Sequence, residues 1–490
     1  MIKNTPVLNK ISKPGRSGCQ LPALDVPETE LEKYIPKTLL RQELPRLPEV
    51  AEPEVVRHFV NLSVKNHHVD RDFYPLGSCT MKYNPKVNDT IASLCGFSQL
   101  HPDQDTSGTQ GALALVWELE QMLCKMTGMT RATLQPVAGA QGEFVGALIM
   151  SAYHHHRGEE RQFILIPETA HGTNPATVRL AGFKTRVLKS DSRGRVDLDD
   201  LKSKLDDQVA GMMLTQPNTL GLFEDNISEI TQLVHEMGGL MYMDGANLNA
   251  LVGLSKPVDM GFDITHINLH KTFSTPHGGG GPGAGPIAVV ESLVPYLPVP
   301  MIERVENGTY TLNRKYPHTI GPIHSYFGNF GILVRAWAYI KTLGDSGVCE
   351  MSRQAILNAN YLKSRLQENY HIPHSDGTMH EFVISGTRQK ERGMRVLDLA
   401  KALLDYGYHA PTVYFPLNVP EAMMVEPTET ESKETLDNFA DALLELDRLI
   451  DTDPESIQSA PHSTPVRRLD ETRANRQPDL RWTWPENKNE

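Results

Sequence analysis

A chain of 490 residues is too long for one small core, so two or three domains are expected. With 39% hydrophobic and 22% charged residues it has the balance of a soluble globular protein, and a formal net charge of -12 disfavours nucleic acid or an acidic membrane surface as a partner. No apolar run is long enough to span a bilayer, and the first residues carry neither the apolar core of a signal peptide nor an amphipathic transit peptide. The 5 cysteines form no CxxC pair, which fits a reducing, cytoplasmic setting rather than a disulfide framework or a structural zinc site.

In chain order, residues 1–84 are Pro-rich and irregular, with one helix expected near 53–64. A helix fits 110–126, where Leu113, Trp117, Glu120, Leu123 and Cys124 recur at helical spacing and Gly128 is a stop. Strands at 132–137, 162–166, 184–189, 209–215, 240–243, 264–269 and 286–290 then alternate with helices such as 197–206 and 227–238. Such alternation predicts an α/β fold, a mostly parallel sheet with helices on both faces. After Gly321 helices fit 327–343, 348–368, 393–406 and 430–449, the last with a capping box from Thr428 and Glu431. Apolar pieces near 380–384 and 412–417 read as strands of a smaller α+β domain. The expected organisation is an extended segment over 1–84, a large domain over 85–325, a small C-terminal domain over 326–450 and an extended or mobile tail over 451–490. There is no internal repeat.

Three stretches carry chemistry. In TLQPVAGAQGEFVGALIM (133–150) a short strand runs through Gly139, Ala140 and Gln141 into a helix. Free backbone N–H groups at such a helix start attract an anion, although a plain tight turn has the same composition. The glycine spacing matches neither the dinucleotide fingerprint nor the nucleotide P-loop. In LMYMDGANLN (240–249), Asp244 ends an apolar strand, where ligands bind in open α/β sheets; a turn aspartate before Gly245 is the alternative. In DITHINLHKTFSTPHGGGGPGAG (263–285) a half-apolar strand delivers Lys271 to a hydroxyl-rich turn, followed by glycines at 278–281. A partly desolvated lysine is nucleophilic enough for a Schiff base, whereas most lysines are solvated surface charges. Paired, Asp244 and Lys271 suit pyridoxal phosphate: the amine takes the aldehyde, and the carboxylate keeps the pyridine nitrogen protonated.

Longer motifs now become specific: FYPLGSCTMKYNPK (73–86), QPVAGAQGE (135–143), AHGTNPAT (170–177), QPNTLGLFE (216–224), MDGANLNAL (243–251) and NLHKTFSTPHGGGGPG (268–283). In this order, over roughly 57–427, the chain resembles the pyridoxal-phosphate P-protein family of the glycine cleavage system, glycine dehydrogenase (decarboxylating). Within the family it is similar to subunit 2 of the split, two-chain bacterial form. The resemblance implies a fold-type I enzyme whose large domain holds the cofactor. It implies decarboxylation of glycine, with transfer of the aminomethyl group to the lipoyl arm of H-protein. It also implies a companion subunit 1, with two copies of each chain in the assembly. Residue by residue, it implies that Lys271 forms the Schiff base and Asp244 pairs with the ring nitrogen. His171 would stack on the ring, Asn218 would hydrogen-bond the phenolic oxygen, and Ala246 would pack on the opposite ring face. Gly139, Ala140 and Gln141 would receive the phosphate. His171 as a loop histidine and Asn218 as a turn asparagine are the plain alternatives.

No metal site is expected: His154, His155 and His156 are adjacent on a helix and cannot converge on one ion, so they read as a solvated helix end. Cys79 has no sequence feature that would lower its pKa. Two other functions fit parts of the chain. One is another fold-type I decarboxylase or aminotransferase, which would explain Lys271 and Asp244 but not SCTMKYNP or HGGGGPG. The other is a non-catalytic regulatory or scaffolding subunit, which the intact Lys271 and Asp244 disfavour.

Overall fold

The computed structural model describes residues 5–43, 45–277 and 283–481. They fall into two units, Met1–His68 with Ser463–Glu490, and Val69–His462. In the first, the helix Glu52–Ser63 has Pro53 as its second residue, where the missing N–H costs nothing because it would have no intrahelical acceptor. Glu54 accepts from the Ala51 N–H at 2.8 Å and pairs with Arg16. A short helix, Glu471–Arg476, lies where an extended tail is expected; Asp470 caps it by accepting from the Arg473 N–H.

The larger unit is built on a seven-stranded sheet in the order β1-β7-β6-β5-β4-β2-β3. Its strands are β1 (Arg131–Thr133), β2 (Phe163–Pro167), β3 (Lys184–Leu188), β4 (Val209–Thr215), β5 (Leu240–Gly245), β6 (Ile264–Ile267) and β7 (Ile287–Val289). β7 pairs antiparallel with β1 and β6; the other pairings are parallel. β4 and β5 are buried at every position, so they read as continuous apolar runs rather than alternating ones. Alternation survives in where the side chains go. Met212, Leu214, Met241 and Met243 enter the core on one face, and Met213, Leu240 and Tyr242 enter the core on the other. Gly211 admits the neighbouring strand, since a Cβ there would lie 2.2 Å from the Leu240 carbonyl oxygen. β6 ends at Ile267, two residues before the expected end; Leu269–Thr272 is one turn of helix, so Lys271 sits on that turn rather than on a strand.

A hairpin of β8 (Met301–Arg304) and β9 (Tyr310–Asn313) follows. The two helices expected at 327–343 and 348–368 form one run, Phe330–Leu366, broken at Gly344, where φ is 63°. The C-terminal part holds a three-stranded antiparallel sheet in the order β10 (Phe382–Ser385), β12 (Ala422–Val425), β11 (Thr412–Val413). β12 escapes sequence reading because AMMV is short and gives no period. The last long helix, Lys433–Thr452, is capped by Ser432, which accepts from the Thr435 N–H, and not by Thr428. Thr428 has a left-handed backbone, and its carbonyl accepts from Asn358. A helix at Pro454–Ser459 follows at once. No helix among the described residues is long and apolar enough to cross a membrane.

One buried ion pair ties distant stretches of this unit together. Lys82, 2% exposed, donates to Glu429 at 2.6 Å, to the Thr272 carbonyl at 2.7 Å and to Asn249 at 2.9 Å. Burial works to lower the Lys82 pKa, but the charge and hydrogen bond of Glu429 together with Tyr339 outweigh it and the pKa is raised. Lys82→Met strands the Glu429 carboxylate and is expected to lower the unfolding free energy by about 3–5 kcal/mol. Lys82→Met with Glu429→Leu should recover most of that loss. Denaturant midpoints of the three proteins check this; a single variant within about 1 kcal/mol of wild type contradicts it.

Candidate active site

The C-terminal ends of β4, β5 and β6 open onto a cavity of about 160 Å³. Asp244 at the end of β5 faces it, beside Thr215 from β4 and His266 from β6, its register partners. The start of the helix Gly139–His156 forms one wall. No side chain caps that helix at Ala138, so its first N–H groups are available to an anion. Gly139 allows the approach, because a Cβ there would lie 2.7 Å from the Asn268 side-chain oxygen. Gln141 accepts from the Val137 N–H at 2.7 Å and ties the turn to its own helix.

The electrostatics separate two neighbouring carboxyl groups. Burial works to raise the pKa of Asp244, but His266, the Asn174 amide, the Ala246 N–H and Lys271 together lower it. Asn174 donates to Asp244 Oδ2 at 3.0 Å, and the Ala246 N–H donates to Oδ1 at 2.9 Å. His266 Nε2 lies 3.3 Å from Oδ1, which as part of an ionised carboxylate can only accept, and its Nδ1 is hydrogen-bonded to the Tyr242 hydroxyl at 2.6 Å. That chain fixes the neutral tautomer with the proton on Nε2. Burial also lowers the His266 pKa, although Asp244 opposes the shift. Glu143, by contrast, is pushed up to about 7 by burial and then by the Asp244 charge. It accepts from Thr173 Oγ1 at 2.8 Å, and that hydroxyl lies 2.9 Å from His171 Nδ1.

Lys271 donates to the Ser78 carbonyl at 2.8 Å. Neutral imidazoles stand around it. Burial, then the charges of His277 and Lys271, push His270 down to about 3; burial, then Lys271, pushes His277 down to about 4. His171 is likewise lowered by burial and then by Lys271. Burial raises the Cys79 thiol, so Cys79 has no activated character.

Lys271, Asp244, His171, Gly139, Ala140 and Ala246 all line this cavity. Gln141 does not, and neither does Asn218. The Asn218 side chain closes its own turn, accepting from the Leu220 and Leu222 N–H groups and donating to the Gly194 carbonyl. Its neighbour Thr219 reaches the cavity instead. Glu143, Thr173 and His266 are cavity residues to which sequence reasoning assigns no role, and Ser78 belongs to the stretch 74–83 that the resemblance places at the mouth of the site without a role for any one residue. The signal for His266 is a histidine inside the buried run ITHI; for Glu143 it is an acid one turn into an apolar helix. Glycines 278–281 lie outside the described residues. His154, expected at a solvated helix end, is buried between the Ala210 carbonyl (2.8 Å) and Glu159 (2.9 Å).

Pyridoxal phosphate fits this donor set. The cavity offers an amine, a buried ionised carboxylate and a free helix start. It also holds two buried polar atoms without a hydrogen-bond partner, Thr215 Oγ1 and Asn268 Oδ1. Such atoms are costly unless a ligand meets them.

The raised Glu143 carboxyl gives a testable pH dependence. Its folded pKa of about 7 exceeds the ordinary 4.5, so its stabilisation is full below pH 4.5 and is lost as pH rises through about 7. Glu426 and Glu431, also near 7, add to the same slope. Asp244, lowered from 3.8, acts only in more acid solution. The lowered histidines His270 and His277 act with the opposite sign over this window, so the expected outcome is a difference: between pH 4.5 and 7 the thermal midpoint of wild type falls relative to that of Glu143→Gln, and equal slopes contradict this.

The family profile "Glycine cleavage system P-protein" matches residues 24–311, and "Glycine dehydrogenase, C-terminal domain" matches 351–465. The probable glycine dehydrogenase (decarboxylating) subunit 2 of Chlorobium chlorochromatii is 56% identical, over 96% of this chain and 98% of its own. Its counterpart in Caldanaerobacter subterraneus subsp. tengcongensis is 54% identical, over 97% and 98%. A crystal structure of inhibitor-bound glycine decarboxylase (P-protein) superposes with a TM-score of 0.73 at 21% identity, covering 85% of this chain and 94% of that one. A cysteine desulfurase from Thermococcus onnurineus NA1 shares the fold with a TM-score of 0.60 at 16% identity, over 77% and 95%. Matched by a profile over most of its length, and by relatives more than half identical to it from end to end, the chain belongs to the glycine cleavage system P-protein family.

Proposed function

We propose that the chain decarboxylates glycine with pyridoxal phosphate and passes the aminomethyl group to the lipoyl arm of H-protein. The observation that carries this reading is Lys271 and Asp244 facing one cavity walled by an uncapped helix start, in a P-protein family chain. When bound, the cofactor supplies an electron sink for the carbon that loses carbon dioxide. Lys271 anchors the aldehyde end. Asp244, kept ionised by His266 and Asn174, would hold a proton on the cofactor's ring nitrogen. The N–H groups of Gly139 and Ala140 would receive the phosphate, with the helix dipole adding to the attraction, while Gln141, outside the cavity, holds the turn through Val137. His171, oriented through Thr173 by Glu143, would cover one face of the ring, and the small Ala246 would leave room on the other. Asn218 contributes by holding the turn that brings Thr219 to the cavity. The neutral His270 and His277 add no competing cation beside Lys271.

The same reading makes 85–325 the cofactor-binding part and 326–450 the smaller part, between an N-terminal segment (1–84) and a tail (451–490). A companion subunit 1 completes the enzyme, with two copies of each chain, in the cytoplasm. The relatives' designation as subunit 2 supports the companion, and lipoylated H-protein is the second substrate.

Glycine–bicarbonate carboxyl exchange tests the proposal. The chain with pyridoxal phosphate, companion subunit and lipoylated H-protein should exchange label, and omission of either protein should abolish it. Lys271→Ala should lose at least about 10²–10⁴-fold while remaining folded. Full exchange by that variant, or none by the complete wild-type mixture, overturns the reading.

A further inference from the structure

Ser78 and Thr80 flank Cys79 in a strap over the site, and neither is a glycine, yet both have left-handed backbones, with φ of 61° and 47°. That conformation is uncommon for such residues and persists only where the surroundings enforce it. The surroundings here are two acids. Glu381 Oε2 accepts from the Ser78 N–H at 2.7 Å, and Glu426 Oε2 accepts from the Thr80 N–H at 2.8 Å. Glu426 Oε1 also takes the Thr80 hydroxyl at 2.5 Å, and Glu381 Oε1 takes the Asn247 amide at 3.1 Å. Both acids are fully buried. They leave the paired strands β10 and β12 side by side, since Phe382 and Val425 are register partners. The strap lies directly on β12: Leu76 bridges to Val425, and a Cβ on Gly77 would lie 2.2 Å from the Met424 side chain.

Neither acid lines the cavity, but the strap they grip does: Ser78 faces it and offers its carbonyl to the Lys271 amine. Burying two adjacent carboxyl groups is costly, and a turn could be closed with neutral side chains. We propose that Glu381 and Glu426 are positioning residues for Lys271, clamping Ser78 and Thr80 in the left-handed conformation that aims the Ser78 carbonyl at the lysine amine. Other charged or titratable groups facing the clamp are Glu429, Cys79 and the fully buried His380, whose Nε2 lies 3.9 Å from both Glu381 Oε1 and Glu426 Oε1. Burial, then the Glu426 charge, holds the Glu381 carboxyl well above its ordinary range; burial pushes Glu426 up to about 7 against its Thr80 bonds and Lys271. The pair therefore keeps a proton near neutrality, which limits the repulsion between the two acids.

The inference rests on the reading of Lys271 given above, and hydrogen exchange tests the clamp separately from it. In the full-length chain, E381Q and E426Q each lose one acceptor. Mass spectrometry should find the peptide covering 73–82 exchanging about tenfold faster in either variant, and the dissociation constant of pyridoxal phosphate should rise about tenfold. Adding S78G to E381Q should recover part of the affinity, because glycine takes the left-handed conformation without strain. Should a glutamine variant fail to fold, T80V, which removes only the hydroxyl bond, should raise both quantities in the same direction. Wild-type strap exchange in the folded variants overturns the clamp, even if activity falls. Faster strap exchange with unchanged cofactor affinity overturns the link to Lys271.

Discussion

The architecture of this site depends on one five-residue strap, 78–82, that the C-terminal part holds by buried carboxyl groups. Glu381 and Glu426 grip Ser78 and Thr80, and Glu429 neutralises Lys82. From the strap two contacts reach the one-turn helix that carries Lys271: the Ser78 carbonyl takes the Lys271 amine, and the Lys82 amine donates to the Thr272 carbonyl. Acids that far inside a protein are tolerated only when fully bonded, so the network admits few alternative arrangements. A lysine that must meet an aldehyde within hydrogen-bond precision gains from such a frame, since small displacements of a reacting group are costly to rate.

Beneath the strap, burial acts on all the acids and local partners decide which stay charged. Asp244 has a histidine, an amide and a backbone N–H directed at it and is lowered. Glu143, with two threonine hydroxyls and the Asp244 charge beside it, is raised to about 7. Two acids in one pocket thus take different protonation states near neutrality, one suited to facing a protonated ring nitrogen and the other to orienting His171 through a hydroxyl. Burial keeps the neighbouring His270, His277 and His380 neutral, so these rings place no second cation beside the Lys271 amine.

Much of this was legible in the sequence where one residue's chemistry coincides with local pattern. β4 and β5 stand out because helices cover both their faces, which turns them into unbroken apolar runs, and that places Asp244 at a strand end. Lys271 and the Gly139 turn follow from the same logic. What escaped depends on long-range pairing. Ser78 and Glu381 are 303 residues apart, and Thr80 and Glu426 are 346 apart, so no window of sequence links them. β12 is too short to show a period, and Thr428 resembles a helix cap only until Ser432 is seen in that position. Asn218 reads as a ligand contact through the resemblance of QPNTLG to the family and as a turn asparagine on plain chemistry, and the turn after Pro217 engages its polar atoms. His154 reads as solvated because the strand that covers it, β4, arrives from 56 residues away.

The account turns on Lys271 being the amine that holds the cofactor, not the more deeply buried Lys82. Borohydride reduction of the full-length chain loaded with pyridoxal phosphate, followed by peptide mapping, addresses this directly. The account predicts a single phosphopyridoxyl adduct on Lys271. An adduct on Lys82 or another lysine, with Lys271 unmodified, would contradict it.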